Sequence, residues 1–509
     1  MADKILVIDC GSQYSHLITR EIRRLGVFSE LIPADSFDEK LVKKDVKGVI
    51  ISGGPDSVYG KKSPKPSVKN VNVPLLGICY GHHYLAHIMK GRVRKGKSEY
   101  GKAVIEVKNN SVLMKGLSKK ESVWMSHGDE VYSLPKEFKI LAESEGSIAA
   151  FANEERNIYG LQFHPEVAHT KNGMRILENF VFDICQCKKG WDMSDFIQKS
   201  IKEIKKHSNG KKTIIGLSGG IDSSTAAILS SKALGKNLTA VYVDTGLMRE
   251  GETEEIKELF KDSGLKLVIL MEEERFYKAL KGITDPEKKR QIIGKLFWDI
   301  FKEKLKEIKA DYIIQGTIYP DRIESAQSST HASRIKTHHN VAIKDIEEWR
   351  KQGKVIEPLQ DLYKDEVREI ARRMKMSEKM VERQPFPGPG LATRVEGEVT
   401  KEKVKIVRKA DKIFREMVEK LPEKKRPTWQ YFAVLTGAKA TGVKGDARAY
   451  GHVIALRAVD SKEAMTANVT KLSHEFLEDV ATMIANTIPE VTRVVYDYTN
   501  KPPSTIEWE

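Results

Sequence analysis

Hydrophobic positions along the chain fall into short apolar runs separated by stretches of helical spacing. Lys4–Asp9 (KILVID) reads as a strand. From Ser15 to Leu25, the apolar residues Leu17, Ile18, Ile22 and Leu25 share one helical face, and Gly26 follows as a C-terminal cap. Lys47–Ser52 (KGVIIS) and Val73–Ile78 are further strand-like runs, the first ended by Gly53-Gly54-Pro55. Strands alternating with helices predict a doubly wound, mostly parallel sheet.

The texture changes near residue 190, where Lys188-Lys189-Gly190-Trp191 reads as a junction. An amphipathic helix to about His207 leads into a new strand, Thr213–Leu217, and the alternation resumes with strands at Leu238–Val243 and Tyr312–Ile314. Gln384-Pro385-Phe386-Pro387-Gly388-Pro389-Gly390 cannot be helical, because three prolines fix φ and lack the backbone donor. Beyond it, runs such as Gly451–Val459 and Thr492–Tyr498 mix with helices. The predicted class is α/β: two doubly wound, mostly parallel-sheet domains at 1–189 and 190–385, followed by a small α+β domain at 386–509.

Composition narrows the possibilities. A chain of 509 residues, 40% hydrophobic, is long enough for several cores and has the balance of an ordinary globular enzyme. Four cysteines in that length argue against a disulfide framework and for a reducing compartment. Met1–Lys4 runs straight into a strand without an apolar signal core, and no stretch reaches the ~18 apolar residues that span a bilayer. The expected compartment is the cytoplasm, with no membrane partner. The net charge of +15 suits either nucleic acid or small polyanionic substrates. Lysines are spread along the chain and interleaved with Glu, so small anionic ligands are the preferred reading and no nucleic acid is expected.

The first candidate chemistry lies at Pro74-Leu75-Leu76-Gly77-Ile78-Cys79-Tyr80-Gly81, where a buried strand ends in Cys and a helix begins. A strand–sharp turn–helix presents a nucleophile above a sheet and aims backbone N–H groups at a developing oxyanion. A helix N-terminus also favours the reactive thiolate. Taken alone, Cys79 reads equally as a buried structural thiol. Gly160-Leu161-Gln162-Phe163-His164-Pro165-Glu166 shifts the balance, because residues i and i+2 of an extended chain project to the same side. Glu166 can then orient the ring while His164 takes the thiol proton. A C-x-C at Cys185 and Cys187 has no second pair and reads as a helix end rather than a metal half-site.

These residues, with Asp9–Tyr14, the Gly53-Gly54-Pro55 turn and Ser126-His127-Gly128-Asp129, resemble the class I glutamine amidotransferases over roughly residues 1–189. The resemblance implies a γ-glutamyl thioester on Cys79, with Gly54 and Tyr80 N–H groups forming the oxyanion hole. One position departs from that family. His82-His83 follows Gly81, where the family usually has Gln at the second place to help hold the substrate glutamine. A histidine there can donate one hydrogen bond but lacks the amide's paired donor and acceptor.

The second candidate is Ser218-Gly219-Gly220-Ile221-Asp222-Ser223-Ser224, between the strand Thr213–Leu217 and an Ala-rich helix. Glycines let the backbone fold tightly, and hydroxyls with N–H groups at a helix start make an anion cradle. The Gly-Lys-Ser/Thr ending of a Walker loop is absent. The segment resembles the pyrophosphate loop of the ATP pyrophosphatases. That implies pyrophosphate on 218–224, the adenine–ribose side on the strand end Val243-Asp244-Thr245-Gly246, and Mg²⁺ with ATP rather than a metal in a protein cage. Gln315-Gly316-Thr317 follows another strand end, where the ligand crevice of an open α/β sheet lies.

The C-terminal run Arg493–Glu509, with Phe386-Pro387-Gly388-Pro389-Gly390-Leu391 and Gly445–Tyr450, resembles the glutamine-hydrolysing GMP synthetase family, and the resemblance covers essentially the whole chain. It implies amination of XMP to GMP, with ATP cleaved to AMP and pyrophosphate. It assigns Asp321, Glu324 and Lys336 to a lid, and Arg290, Gln430, Arg493, Lys501, Ile506 and Glu507 to XMP. It also implies a homodimer through the third domain. An NAD synthetase-like amidotransferase is the runner-up, and the KPPSTIEWE ending speaks against it.

Overall fold

The computed structural model describes residues 3–322, 340–461 and 466–509. The chain forms two compact units, Met1–Asp195 and Phe196–Glu509.

The first unit is built on β1 (Lys4–Asp9), β2 (Phe28–Pro33), β3 (Val46–Ile51), β4 (Leu75–Ile78), β5 (Arg92–Val107), β6 (Lys120–Ser133), β7 (Lys139–Ser144), β8 (Ser147–Asn153) and β9 (Ile158–Leu161). They form one sheet in the order β2-β1-β3-β4-β9-β8-β7-β5-β6. The β2-β1-β3-β4-β9 part is parallel. The middles of its strands are apolar and buried, as in a sheet shielded from water; Ile5, Leu6, Val7 and Ile8 are all buried. The remaining four strands extend the sheet antiparallel, led by the long β5–β6 hairpin.

The second unit carries an all-parallel sheet of β10 (Thr213–Leu217), β11 (Leu238–Asp244), β12 (Lys266–Met271), β13 (Tyr312–Ile314) and β14 (Val355–Ile356), ordered β12-β11-β10-β13-β14. The chain proceeds outward from β10 on one side, then returns to its other side at β13. The topological switch point therefore lies between β10 and β13, where such sheets bind ligands. A further sheet joins β15 (Gln430–Lys444), β16 (Ala447–Asp460), β17 (Asn468–Val469) and β18 (Val491–Tyr496). β16 is antiparallel to β15 and β17 and parallel to β18. The helices Lys401–Glu419 and His474–Thr487 pack with it. One core contains Ile214 and Val241 of the parallel sheet together with Phe414 and Leu456, so position 385/386 lies inside a continuously packed unit. The irregular path at 384–389 is the non-helical stretch that its prolines require.

Candidate functional site

In the first unit, β4 ends at Ile78 and the helix Tyr80–Ile88 begins two residues later. Cys79 occupies the elbow with φ 53° and ψ −102°, a conformation uncommon for a side-chain-bearing residue. Its N–H donates to the Leu161 carbonyl (2.8 Å), which pins the elbow to the end of β9. The turn is so tight that a Cβ on Gly77 would lie 2.2 Å from the Gly81 carbonyl oxygen.

Past β9, His164 and Glu166 converge on the same point. His164 Nδ1 is 2.7 Å from Glu166 Oε1, both side chains are buried, and the ring is hydrogen-bonded to Cys79. Burial alone would discharge the imidazole. The Glu166 carboxylate and the bond to Cys79 outweigh it and hold the ring well above its usual pKa. The Cys79 sulfur also lies 3.4 Å from the Ser126 carbonyl. Cys79, His164, Gly54 and Tyr80 all line one cavity of about 610 Å³. His164 and Glu166 do meet, as expected, but on a turn after β9 and not on the extended segment that the two-residue spacing argument assumed.

His83 lines the same cavity, is buried, and sits with Nε2 2.7 Å from Gln162 Oε1. Since that oxygen only accepts, the His83 Nε2 carries the proton. Burial, resisted by Gln162, pushes the ring pKa down to about 4, so it is neutral near pH 7. His82 is wholly buried against Phe151, with neither ring nitrogen in a well-formed hydrogen bond, and burial holds its pKa well below the usual value. Among the described residues, no group of three or more His, Cys, Asp and Glu is placed to hold a metal ion.

In the second unit, β10 runs into Ser218–Gly220, and the helix Ile221–Leu234 starts with Gly220 as its N-cap. Gly219 has φ +76°. Ser218 N–H donates to Ser223 Oγ (3.2 Å), and the two hydroxyls lie 3.1 Å apart. Asp222 Oδ1 and Ser224 Oγ are buried without a protein partner. Buried polar groups are rarely left unpaired, which points to a ligand in the loop. Gly316 stands where a Cβ would be 2.9 Å from the Ser223 nitrogen, so β13 and the loop approach each other at backbone distance. A cavity of about 540 Å³ at the switch point is lined by Ser218, Val243, Gly316, Arg290 and the 387–389 segment. Lys364, which the sequence reading missed, pairs with Asp222 Oδ2 at 2.5 Å. Its signal was a cation at the first position of the helix Lys364–Arg373, an end that favours acidic residues.

The residues assigned to XMP are only partly gathered. Arg290 lines the switch-point cavity and donates to the Glu509 carbonyl. Gln430 Nε2 donates to Glu507 Oε1 (3.2 Å) and to the Pro385 carbonyl (2.9 Å). Glu507 in turn accepts two bonds of 3.1 Å from the fully buried Arg394. Ile506 is a core side chain packed with Phe432 and Val434. Arg493 is exposed on β18, and Lys501 bonds Ala467 through its backbone. Of the lid residues, Asp321 accepts from the Ile318 N–H (3.2 Å); Glu324 and Lys336 lie outside the described residues.

Comparison with known proteins follows the same division. The family described as Glutamine amidotransferase class-I matches residues 6–184, NAD synthase matches 192–295, and GMP synthase C terminal domain matches 416–508. A protein of Caldicellulosiruptor saccharolyticus named GMP synthase (glutamine-hydrolyzing) is 48% identical over 515 residues, covering 99% of both chains. Proteins of the same name from Clostridium tetani and Thermosipho melanesiensis are 46% and 48% identical, again with 99% of both chains covered.

Proposed function

The chain belongs to the glutamine-hydrolysing GMP synthase family, and from that premise we propose how its residues share the conversion of XMP, ATP, glutamine and water to GMP, AMP, pyrophosphate and glutamate. The observation that carries the reading is the pairing, in one chain, of the Cys79–His164–Glu166 arrangement with an anion loop at a switch point. The NAD synthase match covers only the ATP-handling segment, whereas the GMP synthases align along the whole chain.

In the first unit, the Cys79 thiolate attacks the side-chain carbonyl of glutamine. His164 receives the thiol proton and returns it to the departing ammonia, and Glu166 keeps the ring oriented and stabilises its charged form. N–H groups of Gly54 and Tyr80 face the negative oxygen. Water then hydrolyses the thioester, with His164 as base, and releases glutamate.

In the second unit, the xanthine O2 attacks the α-phosphorus of ATP and pyrophosphate leaves into the 218–224 loop. The loop N–H groups, Ser hydroxyls and Lys364 balance its charge. Ammonia then displaces AMP from C2 of the adenylated base. The bare Asp222 Oδ1 is a hard oxygen donor that would hold Mg²⁺ arriving with ATP, and the ion would supply charge neutralisation on the phosphates. Arg290, Gln430, Glu507 and the 385–390 segment would form the XMP side, with Arg493, Lys501 and Ile506 contributing around it. Asp321, Glu324 and Lys336 would supply the lid.

The C-terminal sheet would carry a homodimer contact. Val443, Tyr450, Val495 and Tyr498 are exposed apolar side chains on or beside its strands. The four cysteines are all free, in keeping with a reducing, cytoplasmic setting; no helix among the described residues is long and apolar enough to cross a membrane.

Cys79→Ala tests the division of labour. It should abolish GMP formation from glutamine and leave formation from ammonium intact. Loss of both, or retention of both, would break the assignment.

A further inference from the structure

The backbone of the pyrophosphate loop is held from behind by side chains that take no part in the steps above. Arg383 Nη1 donates to the Gly219 carbonyl at 3.0 Å, while Nη2 lies 2.9 Å from Glu252 Oε1. Glu252 is almost fully buried, and its other oxygen accepts the Arg249 N–H at 3.1 Å. The fit is close: a Cβ on Gly219, which has φ +76°, would lie 2.4 Å from Glu252 Oε1. One planar guanidinium thus bridges a buried carboxylate and the loop peptide, a geometry that a fork of donors satisfies and a single ammonium does not.

Arg383 also stands at the start of the segment that borders the nucleotide cavity. Its neighbour Gln384 accepts the Tyr431 N–H of β15 (2.9 Å), Pro385 accepts from Arg249 and Gln430, and residues 387–389 line the cavity itself. The loop that meets pyrophosphate and the segment beside the XMP residues are therefore tied through one side chain.

We propose that Arg383, locked by Glu252, is a positioning residue that fixes the Gly219 peptide so that the 218–224 loop presents its N–H groups to pyrophosphate. The inference rests on the reading of 218–224 as the pyrophosphate cradle. Without the guanidinium, the Gly219 peptide is free to rotate, and the loop must be ordered at the expense of binding.

The test is inhibition of ammonium-dependent GMP synthesis by magnesium pyrophosphate, measured against ATP in the full chain. In the parent, pyrophosphate should compete with ATP; if it does not, the cradle reading itself falls. Arg383→Lys keeps a charge opposite Glu252 but cannot reach both partners. Its inhibition constant for pyrophosphate should rise about tenfold, the worth of one charge-assisted hydrogen bond, with KM for XMP and the thermal midpoint near parental values. Glu252→Gln, nearly the same shape without the charge, should move the constant in the same direction and serves where Arg383→Lys folds poorly. A parental pyrophosphate constant in these variants, whatever their stability, would overturn the positioning role while leaving the cradle intact.

Discussion

Replacing Gly77 by alanine should disable the use of glutamine and leave the rest of the chain working. The added Cβ would lie 2.2 Å from the Gly81 carbonyl oxygen, 2.4 Å from its carbon and 2.7 Å from the His82 nitrogen. Ordinary contact starts near 3.4 Å, so the backbone must give by 3.4 − 2.2 = 1.2 Å. All three atoms belong to the turn after Cys79, and no flexible side chain can yield instead. Overpacking of this kind costs about 1–3 kcal/mol locally. A displacement of about 1 Å in a reacting group lowers rates by roughly 100-fold. The assay is GMP formation from XMP and Mg-ATP with glutamine or ammonium as nitrogen donor. Gly77→Ala should lower kcat/KM for glutamine by about 100-fold and leave the ammonium rate at the parental level, because the second unit has its own core. An alanine enzyme that uses glutamine as well as the parent would refute the claim that this close approach sets the nucleophile.

Glu166→Gln removes the charge that keeps His164 protonated against burial, and glutaminase kcat should fall by about 100-fold, seen as glutamate release, with ammonium-dependent synthesis unchanged. His83 has a folded pKa of about 4, below its unfolded value near 6.5, so the folded state binds fewer protons and stability falls as pH drops through that window. His83→Gln should therefore lose about 2 kcal/mol less than the parent between about pH 7.5 and pH 5 in thermal unfolding; an equal loss would exclude His83 as a source of acid lability. Lys364→Met strips Asp222 of its partner and should raise KM for Mg-ATP about tenfold with either nitrogen donor, in steady-state kinetics.

Much of this arrangement was readable in the residues. The apolar runs at 4–9, 47–52, 213–217 and 238–243 became strands close to those limits, because strands buried on both faces need continuous apolar sequence. Glu166 and His164 were legible as a close pair just after a strand, although a turn and not an extended segment brings them together. The antiparallel extension was not. β5 (RVRKGKSEYGKAVIEV) is charged and largely exposed, so it carries no clean apolar pattern. Arg383 was hidden for another reason: its partner Gly219 lies 164 residues away in the chain and nothing local marks the pair; Lys364, 142 residues from Asp222, left only a cation at a helix start as its trace. Gly77 was concealed inside an apolar run, where its role depends on a turn formed four residues later. The XMP residues came from resemblance alone, and the structure gathers Gln430 and Glu507 but leaves Arg493 exposed on β18.

The central claim is that one chain moves nitrogen from glutamine to a purine nucleotide at the cost of ATP. It is tested most directly by supplying glutamine labelled with ¹⁵N in its side-chain amide, together with XMP, Mg-ATP and unlabelled ammonium at low concentration, and reading the product by mass spectrometry. The account predicts GMP carrying ¹⁵N on its exocyclic amine, with AMP and pyrophosphate formed in equal amounts; GMP that is wholly unlabelled, or no GMP at all, would contradict it.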